Sequence, residues 1–143
     1  MCNLEIFFEE LQPFNINRDI IESVINKIIL NELKEGGSIS VIFCHDDYLL
    51  DINKQYLNHN YFTDIITFDY TENEIIGGDL FISVDRLKEN AKKYDTEFII
   101  ELYRVVFHGI LHLLGYNDKT NDEKVIMKEK ENHYLKEVDF SLF

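Results

Sequence analysis

The amino-acid sequence predicts an α+β protein with one mixed sheet of about four strands, packed against a central helix and several further helices. Three observations lead to this prediction. The chain has 143 residues, which fits a single domain spanning residues 1–143. Hydrophobic residues make up 45% of the chain and include 11 Phe and 8 Tyr, enough to fill a core. Short β-branched segments alternate with longer segments of helical periodicity, which favours helices packed on a sheet.

The first half of the chain predicts two strands and two helices. A strand over residues 4–8 is followed by Pro13, which closes it. An amphipathic helix is expected from Asn17 to about residue 33, where Gly36-Gly37 end it. The alternating residues 38–43 predict the second strand. Asp46-Asp47 are expected to cap a second helix through Tyr56, before a polar loop over residues 57–60.

The second half predicts two further strands and three helices. Residues 64–70 and 77–83 form strands joined by a turn, and a helix over residues 84–94 follows. The next helix, from about residue 98 to 114, is apolar on almost every side and therefore belongs in the middle of the fold. Gly115 is expected to stop this central helix, and a charged last helix covers residues 121–138.

Composition limits the classes of function. No segment is apolar over the length needed to cross a bilayer, and no secretory leader is recognisable, so a cytoplasmic protein without a membrane partner is expected. The isolated Cys2 and Cys44 fit a reducing compartment. The formal net charge of −13 opposes attraction to phosphate backbones. Binding to nucleic acid therefore requires a local basic patch, a cation in the site, or a basic partner.

A candidate metal site lies at the end of the central helix. His108 and His112 are four residues apart, so their imidazoles share one helix face and can bind one cation. Gly115 allows the chain to reverse, which lets Asp118 offer a carboxylate as third ligand. Three protein ligands and one open position are typical of a catalytic Zn²⁺ site. The alternative for such a histidine pair is two buried, neutral, hydrogen-bonded side chains.

Residues 108–118, His-Gly-Ile-Leu-His-Leu-Leu-Gly-Tyr-Asn-Asp, resemble the H-G-x-L-H-L-x-G-Y-D-H signature of the YbeY family of bacterial endoribonucleases. Upstream, residues 53–56 and 63–68 are similar to that family's N-x-x-Y/F and T-D-V-L-S-F blocks, and residues 78–83 to its G-D-I-x-I-S strand. The resemblance covers the chain from about residue 50 to 120, with the blocks in the same order.

The resemblance implies a single-strand-specific metallo-endoribonuclease of 16S rRNA 3′-end maturation and ribosome quality control. Its partners would be single-stranded ribosomal RNA and the ribosome or its basic proteins. One Zn²⁺ ion held by His108, His112 and Asp118 would activate water for attack on a phosphodiester. Zinc peptidases carry a Glu base directly after the first His, whereas this chain has Gly109, so the pattern favours a nuclease over a peptidase.

Two positions depart from the family pattern. Asp118 stands where the family has a third histidine, and this carboxylate lowers the net charge of the site and makes a bound water less acidic. Leu57 stands where the family usually has an arginine, a natural clamp for phosphate.

Further residues are weaker candidates. Asp64, Ser83 and Arg86 are possible substrate-positioning residues, although hydrogen bonding at strand ends explains the first two equally well. Arg86 also belongs to a possible basic stripe with residues 88, 92 and 93, which a solvated helix face explains as well. Three other histidines have no partner at ligand spacing and are expected to be structural or exposed: His45, His59 and His133.

Two other functions remain open from the sequence. The same site chemistry fits a zinc-dependent hydrolase of a small amide or ester. The metal could also staple a non-enzymatic, ribosome-associated module whose acidic surface binds basic ribosomal proteins.

Overall fold

The computed structural model describes residues 1–58 and 63–142. His59 and part of the predicted 57–60 loop lie outside the described residues. Four strands and five α-helices occur in the described chain, followed by a short 3-10 helix at Phe140–Leu142. In chain order these elements are β1 (Asn3–Phe8), α1 (Arg18–Asn31), β2 (Glu35–Cys44), α2 (Asp46–Leu57), β3 (Ile65–Asp69), β4 (Ile75–Ser83), α3 (Val84–Lys93), α4 (Phe98–Leu113) and α5 (Asn121–Leu135).

The sheet is mixed, with the strand order β1-β2-β4-β3. β1 and β2 are parallel, β2 and β4 are parallel, and β3 runs antiparallel to β4. Each parallel pair is joined by a connection containing a helix, because parallel neighbours need a long crossover. The predicted α+β class, with one mixed sheet of four strands and a central helix, is therefore confirmed.

Alternation along the strands separates the two faces of the sheet. Leu80 and Ile82 of β4 pack into the main core with α1 and α4, whereas Phe81 between them packs into a smaller cluster beneath α2. α4 contacts α1, α3, α5, β3 and β4. The predicted central helix is thus α4, and it lies on the face opposite α2.

Gly109 explains how closely α4 approaches the sheet. A Cβ atom at this position would lie 2.8 Å from Ile65 Cδ1 and 2.9 Å from Leu80 Cδ2. A larger side chain would therefore push the helix away from β3 and β4. Gly109, which lies between the two histidines, therefore allows α4 to pack closely on the sheet.

Gly36 and Gly37 do not end α1, so this prediction was wrong. The helix ends at Asn31, Leu33 takes a left-handed conformation with φ of 60°, and both glycines lie inside β2. A Cβ atom at Gly36 would lie 2.5 Å from the backbone nitrogen of Cys2. The glycine therefore permits close approach to the start of β1, a requirement that helix-stop patterns do not reveal.

The cap of α2 also differs from the prediction. His45 is its N-cap residue and makes no side-chain cap hydrogen bond, while Asp46 and Asp47 lie in the first turn. Asp46 instead accepts a hydrogen bond from the Ser83 hydroxyl at 2.6 Å. The remaining helix ends agree with the predictions to within a few residues. No helix in the described part of the chain is long and apolar enough to span a membrane.

Candidate metal centre

The last two turns of α4 bring His108 and His112 together. Their Nε2 atoms are 2.9 Å apart, and the rings meet nearly edge to face at an interplanar angle of 81°. Both side chains are largely but not fully buried, with exposed fractions of 22% and 25%. The four-residue spacing thus produces the shared face that the sequence predicts.

The turn after α4 brings Asp118 to the histidine pair. Gly115 has φ of 99°, its N–H donates to the His112 carbonyl, and the Tyr116 N–H donates to the Leu111 carbonyl. This pattern is a Schellman motif, in which a left-handed glycine reverses the chain. Asp118 Oδ2 then lies 3.2 Å from His108 Nε2 and 3.6 Å from His112 Nε2.

The Nδ1 atoms of both histidines face fixed acceptors. His108 Nδ1 lies 2.7 Å from Glu131 Oε2, and His112 Nδ1 lies 2.9 Å from the Tyr116 carbonyl oxygen. A carbonyl and a carboxylate accept, so each Nδ1 carries the proton and donates it. The Nε2 lone pairs are therefore directed toward each other and toward Asp118, the tautomer that metal ligation requires.

Glu131 also belongs to the candidate site, because it contacts His108, but the sequence motifs did not predict it. It lies on α5, is only 7% exposed, and also faces Arg104, whose Nη1 is 3.4 Å from Glu131 Oε1. Arg104 further contacts Glu101 and Asn132. A signal existed in the sequence, because Met127, Glu131 and Tyr134 form the buried stripe of an otherwise charged helix. A carboxylate on such a stripe requires a partner.

The electrostatics of the two histidines differ. Burial alone would lower the pKa of His108, but the hydrogen bond from His108 to Glu131 and the carboxylate charges nearby raise it above its ordinary value. Burial and the neighbouring His108 lower the pKa of His112. Of the pair, His108 therefore retains a proton more readily when no cation is present.

The donor set fits a divalent metal ion. Two imidazole nitrogens and one carboxylate oxygen lie within 4.8 Å of one another, and all three residues are partly buried. Two adjacent Nε2 lone pairs repel each other unless a proton or cation lies between them. These three residues are the ones that could hold an ion, while Glu131 and the Tyr116 carbonyl orient the rings, as outer partners of metal ligands do.

A cleft of about 460 Å³ opens beside the candidate ligands. We call it the metal cleft, and its wall includes His108, Asp118, Asp64 and two lysines of α5, Lys124 and Lys128. Both lysines are exposed, and in the described chain neither forms an ion pair. These two lysines provide positive charge at the metal cleft. The basic stripe predicted on α3, at residues 86, 88, 92 and 93, does not line it.

Asp64 lines the metal cleft at the start of β3. Burial raises the pKa of its carboxyl, and the charge of His108 partly opposes this shift. Asn90 Nδ2 donates to Asp64 Oδ2 at 3.4 Å. A carboxyl group in this environment can exchange a proton closer to neutral pH than an exposed aspartate.

Ser83 and Arg86 lie elsewhere, at the end of β4 and the start of α3. The Ser83 hydroxyl accepts from the Arg86 backbone N–H, and the Arg86 guanidinium contacts both carboxylate oxygens of Asp46. Neither residue lines the metal cleft as described. Their substrate-positioning role stays a prediction, and the observed contacts join the beginnings of α2 and α3.

The remaining histidines are also separate from the centre. His45 Nδ1 lies 3.2 Å from Asp85 Oδ2, and the ring of His133 packs against Tyr134. Both are exposed. In the described chain, the only grouping of three or more possible ligands is the one at His108, His112 and Asp118.

Comparison with known proteins yields one consistent family. The family model described as Endoribonuclease YbeY matches residues 7–139. A relative called Endoribonuclease YbeY from Azobacteroides pseudotrichonymphae genomovar. CFP2 is 48% identical over 124 residues, covering 87% of this chain and 89% of the relative. One of the same name from Phocaeicola vulgatus is 53% identical over 102 residues, covering 71% and 74%. The solution structure of TM1509 from Thermotoga maritima is similar, with a TM-score of 0.66, 26% identity, and coverage of 94% and 88%.

Proposed function

The chain belongs to the YbeY family of endoribonucleases, and on this premise we propose that it hydrolyses single-stranded RNA at the centre formed by His108, His112 and Asp118. The observation that carries the proposal is the orientation of the two imidazoles. Both Nδ1 protons are donated to fixed acceptors, so both Nε2 lone pairs are directed at the space beside Asp118. Such an arrangement suits a catalytic metal ion with an open ligand position.

His108, His112 and Asp118 would hold one divalent ion, and we propose Zn²⁺ from the nitrogen and oxygen donors. When bound, the ion would supply water activation and would neutralise charge on a phosphodiester oxygen. Glu131 and the Tyr116 carbonyl keep the rings in the ligating tautomer. Asp64 is the carboxyl group in the metal cleft best suited to accept or donate a proton during the reaction.

Lys124 and Lys128 would hold the RNA phosphates. Leu57 takes the place of the usual family arginine, so another cation must provide the clamp. The two lysines are one helical turn apart on α5 and line the metal cleft. They supply local attraction against the net charge of −13.

We further propose 16S rRNA 3′-end maturation and ribosome quality control in the cytoplasm as the setting of this activity. The family membership supports this proposal, and so does the acidic chain, which would need a basic partner to approach ribosomal RNA. Association with the ribosome or with its basic proteins would deliver the single-stranded substrate to the metal cleft.

The proposal is tested with purified protein and a labelled single-stranded RNA. Cleavage is expected with added Zn²⁺ or another divalent ion, to be lost with chelator, and to return when the ion is restored. A double-stranded RNA of the same sequence and a panel of chromogenic esters and amides complete the design. If an ester or amide is hydrolysed while the RNA stays intact, the protein is a hydrolase of small substrates instead. If the metal-loaded protein hydrolyses none of these substrates, the metal has only a structural role.

A further inference from the structure

Tyr94 is an aromatic residue in the wall of the metal cleft that stays largely exposed. It is the C-cap residue of α3, and its side chain lines the cleft. Tyr94 is 60% exposed. Within the described chain, the only charged or aromatic group that contacts its ring is the Lys93 ammonium. Most of the ring surface is therefore available to a ligand that enters the cleft.

The turn after α3 holds the backbone of Tyr94 in a fixed position. Asp95 has a left-handed conformation with φ of 51°. Its N–H donates to the Lys92 carbonyl at 3.3 Å, and the Thr96 N–H donates to the Ala91 carbonyl at 2.9 Å. These two bonds form a Schellman motif, which closes the end of the helix. The ring is thus carried by an ordered helix end, so little backbone freedom is lost when a ligand packs against it.

Lys93 indicates which face of the Tyr94 ring is free. Its Nζ lies over one face, 5.4 Å from the ring centroid. Lys93 does not line the metal cleft, whereas Tyr94 does. The ammonium group therefore lies on the side of the ring that is turned away from the cleft. The opposite face of the ring remains for a ligand inside the cleft.

The metal cleft connects this ring with the candidate metal ligands and with two cations. α3 and α5 both pack against α4, and all three helices contribute to the wall. Tyr94 comes from the end of α3, His108 from α4, and Lys124 and Lys128 from α5. A flat ring, a metal ligand and free positive charge are thus present in one cleft of about 460 Å³. Proteins that bind single-stranded nucleic acid combine the same elements, since cations follow the phosphates and bases stack on aromatic rings.

We propose that the Tyr94 ring stacks on one unpaired nucleobase of the RNA in the metal cleft and thereby selects single strands. This inference rests on the proposed function for its ligand. In a duplex, each base is paired and stacked between its neighbours, so its flat face cannot reach the ring unless the base is flipped out. All four bases have such a face, so the ring distinguishes single from double strands rather than one sequence from another.

Tryptophan fluorescence tests the stacking directly, because the chain contains no Trp. Tyr94→Trp introduces one indole at the proposed position, and the full-length variant is titrated with oligoadenylate in the presence of chelator, where metal-dependent cleavage does not occur. Stacking of a base is expected to quench the emission. Two probes carry phosphates without an accessible base: a strand of the same length that lacks bases, and oligoadenylate annealed to oligouridylate. Both should quench the emission much less.

Tyr56→Trp is the matched control for the fluorescence titration. Tyr56 is 68% exposed, lies on α2 and does not line the metal cleft. Oligoadenylate should leave the emission of this variant unchanged. Circular dichroism confirms that both variants retain the fold.

Affinities of alanine and phenylalanine variants provide the second readout. Tyr94→Ala is expected to weaken binding of oligoadenylate by about 10-fold, the scale of one lost stacking contact. Tyr94→Phe keeps the ring, so its affinity should stay within about 2-fold of the parent, as should that of Tyr56→Ala. The ratio of affinities for single and double strands should fall in Tyr94→Ala alone. A general loss of fold would weaken the binding of both probes and leave this ratio unchanged.

Three outcomes would overturn the proposal. Equal quenching of Tyr94→Trp by the strand with bases and the strand without them would show that the ring contacts only the backbone. Equal quenching of the two Trp variants would show non-specific contact with RNA. An unchanged ratio of affinities in Tyr94→Ala would assign the selection of single strands to other residues. Quenching by a base in protein that cleaves no RNA after metal is restored would support the stacking and contradict the nuclease, so the two proposals fail separately.

Discussion

Asp118 is a carboxylate at the position where the signature that the chain resembles has a histidine, and its chemistry gives a directional prediction. As a ligand it places one negative charge against the divalent ion, whereas a third imidazole would leave both positive charges. Asp118→His is expected to retain metal and to move the limb on which activity rises with pH to lower pH, since water on a more positive site is more acidic. The pH–rate profiles of parent and variant measure this shift.

Asp118→Asn provides the contrasting variant. A neutral amide oxygen is a poor zinc ligand, so zinc affinity should fall by about 10-fold or more, equivalent to over 1.4 kcal/mol. Competition with a chromogenic chelator measures the affinity. If Asp118 only terminates the turn after Gly115, asparagine would replace it without loss, and an unchanged affinity would remove Asp118 from the centre.

Glu131 is expected to affect both the orientation of the His108 ring and the pH dependence of zinc binding. Glu131→Gln keeps the size of the side chain but removes the charge facing His108, so zinc affinity at pH 8 should fall by about 10–100-fold. The carboxylate also raises the pKa of His108, so in the parent a proton competes with zinc from a higher pH. The pH below which the zinc affinity itself begins to fall should therefore be lower in the variant than in the parent. Identical affinities and pH profiles would show that the hydrogen bond has no influence on the ligand.

At the scale of elements, α4 depends on its close approach to β3 and β4 at Gly109. Gly109→Ala should destabilise the fold by about 1–3 kcal/mol, because the methyl group meets Ile65 and Leu80 below 3.0 Å. Ile65→Val removes the nearest contacting atom and should recover part of this loss in the double variant. Urea unfolding of the four proteins measures the coupling. Additive effects would mean that the helix simply moves aside.

How far the sequence predicts the structure also differs by element. The grouping of the three candidate ligands could be predicted because His108, His112 and Asp118 lie within eleven consecutive residues, where helical spacing and one glycine determine their positions. The element types were predicted from periodicity in the same local way. The prediction at Gly36-Gly37 was wrong because Gly36 is required for a close approach to Cys2, a residue far away in the sequence.

Contacts between distant elements account for what the sequence did not predict at the site. Glu131 meets His108 across 23 residues of chain, and Tyr116 is anchored through its hydroxyl to Glu32 at the end of α1. Lys130 contacts the same glutamate and lies over the Tyr116 ring at 4.9 Å. No local pattern specifies such pairs, because they depend on how α1, α4 and α5 pack together.

At the scale of the whole molecule, the protein carries a negative net charge, and its proposed substrate, RNA, is negatively charged as well. The net charge of −13 predicts weak binding of naked RNA that decreases as salt is added. Changing Lys124 and Lys128 together to Ala should weaken binding further and reduce the slope of log K against log salt by up to about 1.4 for a single strand. Fluorescence titration at several salt concentrations provides these slopes.

The matched control for the lysine pair is Lys54→Ala, an exposed lysine on α2 away from the metal cleft. Its slope should equal that of the parent. Tight binding insensitive to salt, or equal slopes in all three proteins, would show that phosphate is not held by the lysines of α5.

The central claim is that one ion at His108, His112 and Asp118 carries out RNA hydrolysis, and a paired determination on His112→Ala tests it most directly. Bound zinc per chain and the rate of single-stranded RNA cleavage are measured on the same samples of parent and variant, with circular dichroism confirming the fold. We expect about one zinc per parent chain, and loss of most zinc together with cleavage in the variant, because two remaining ligands hold an ion poorly. A folded variant that retains stoichiometric zinc, or that cleaves RNA at the parental rate without it, would show that hydrolysis does not depend on an ion at these residues.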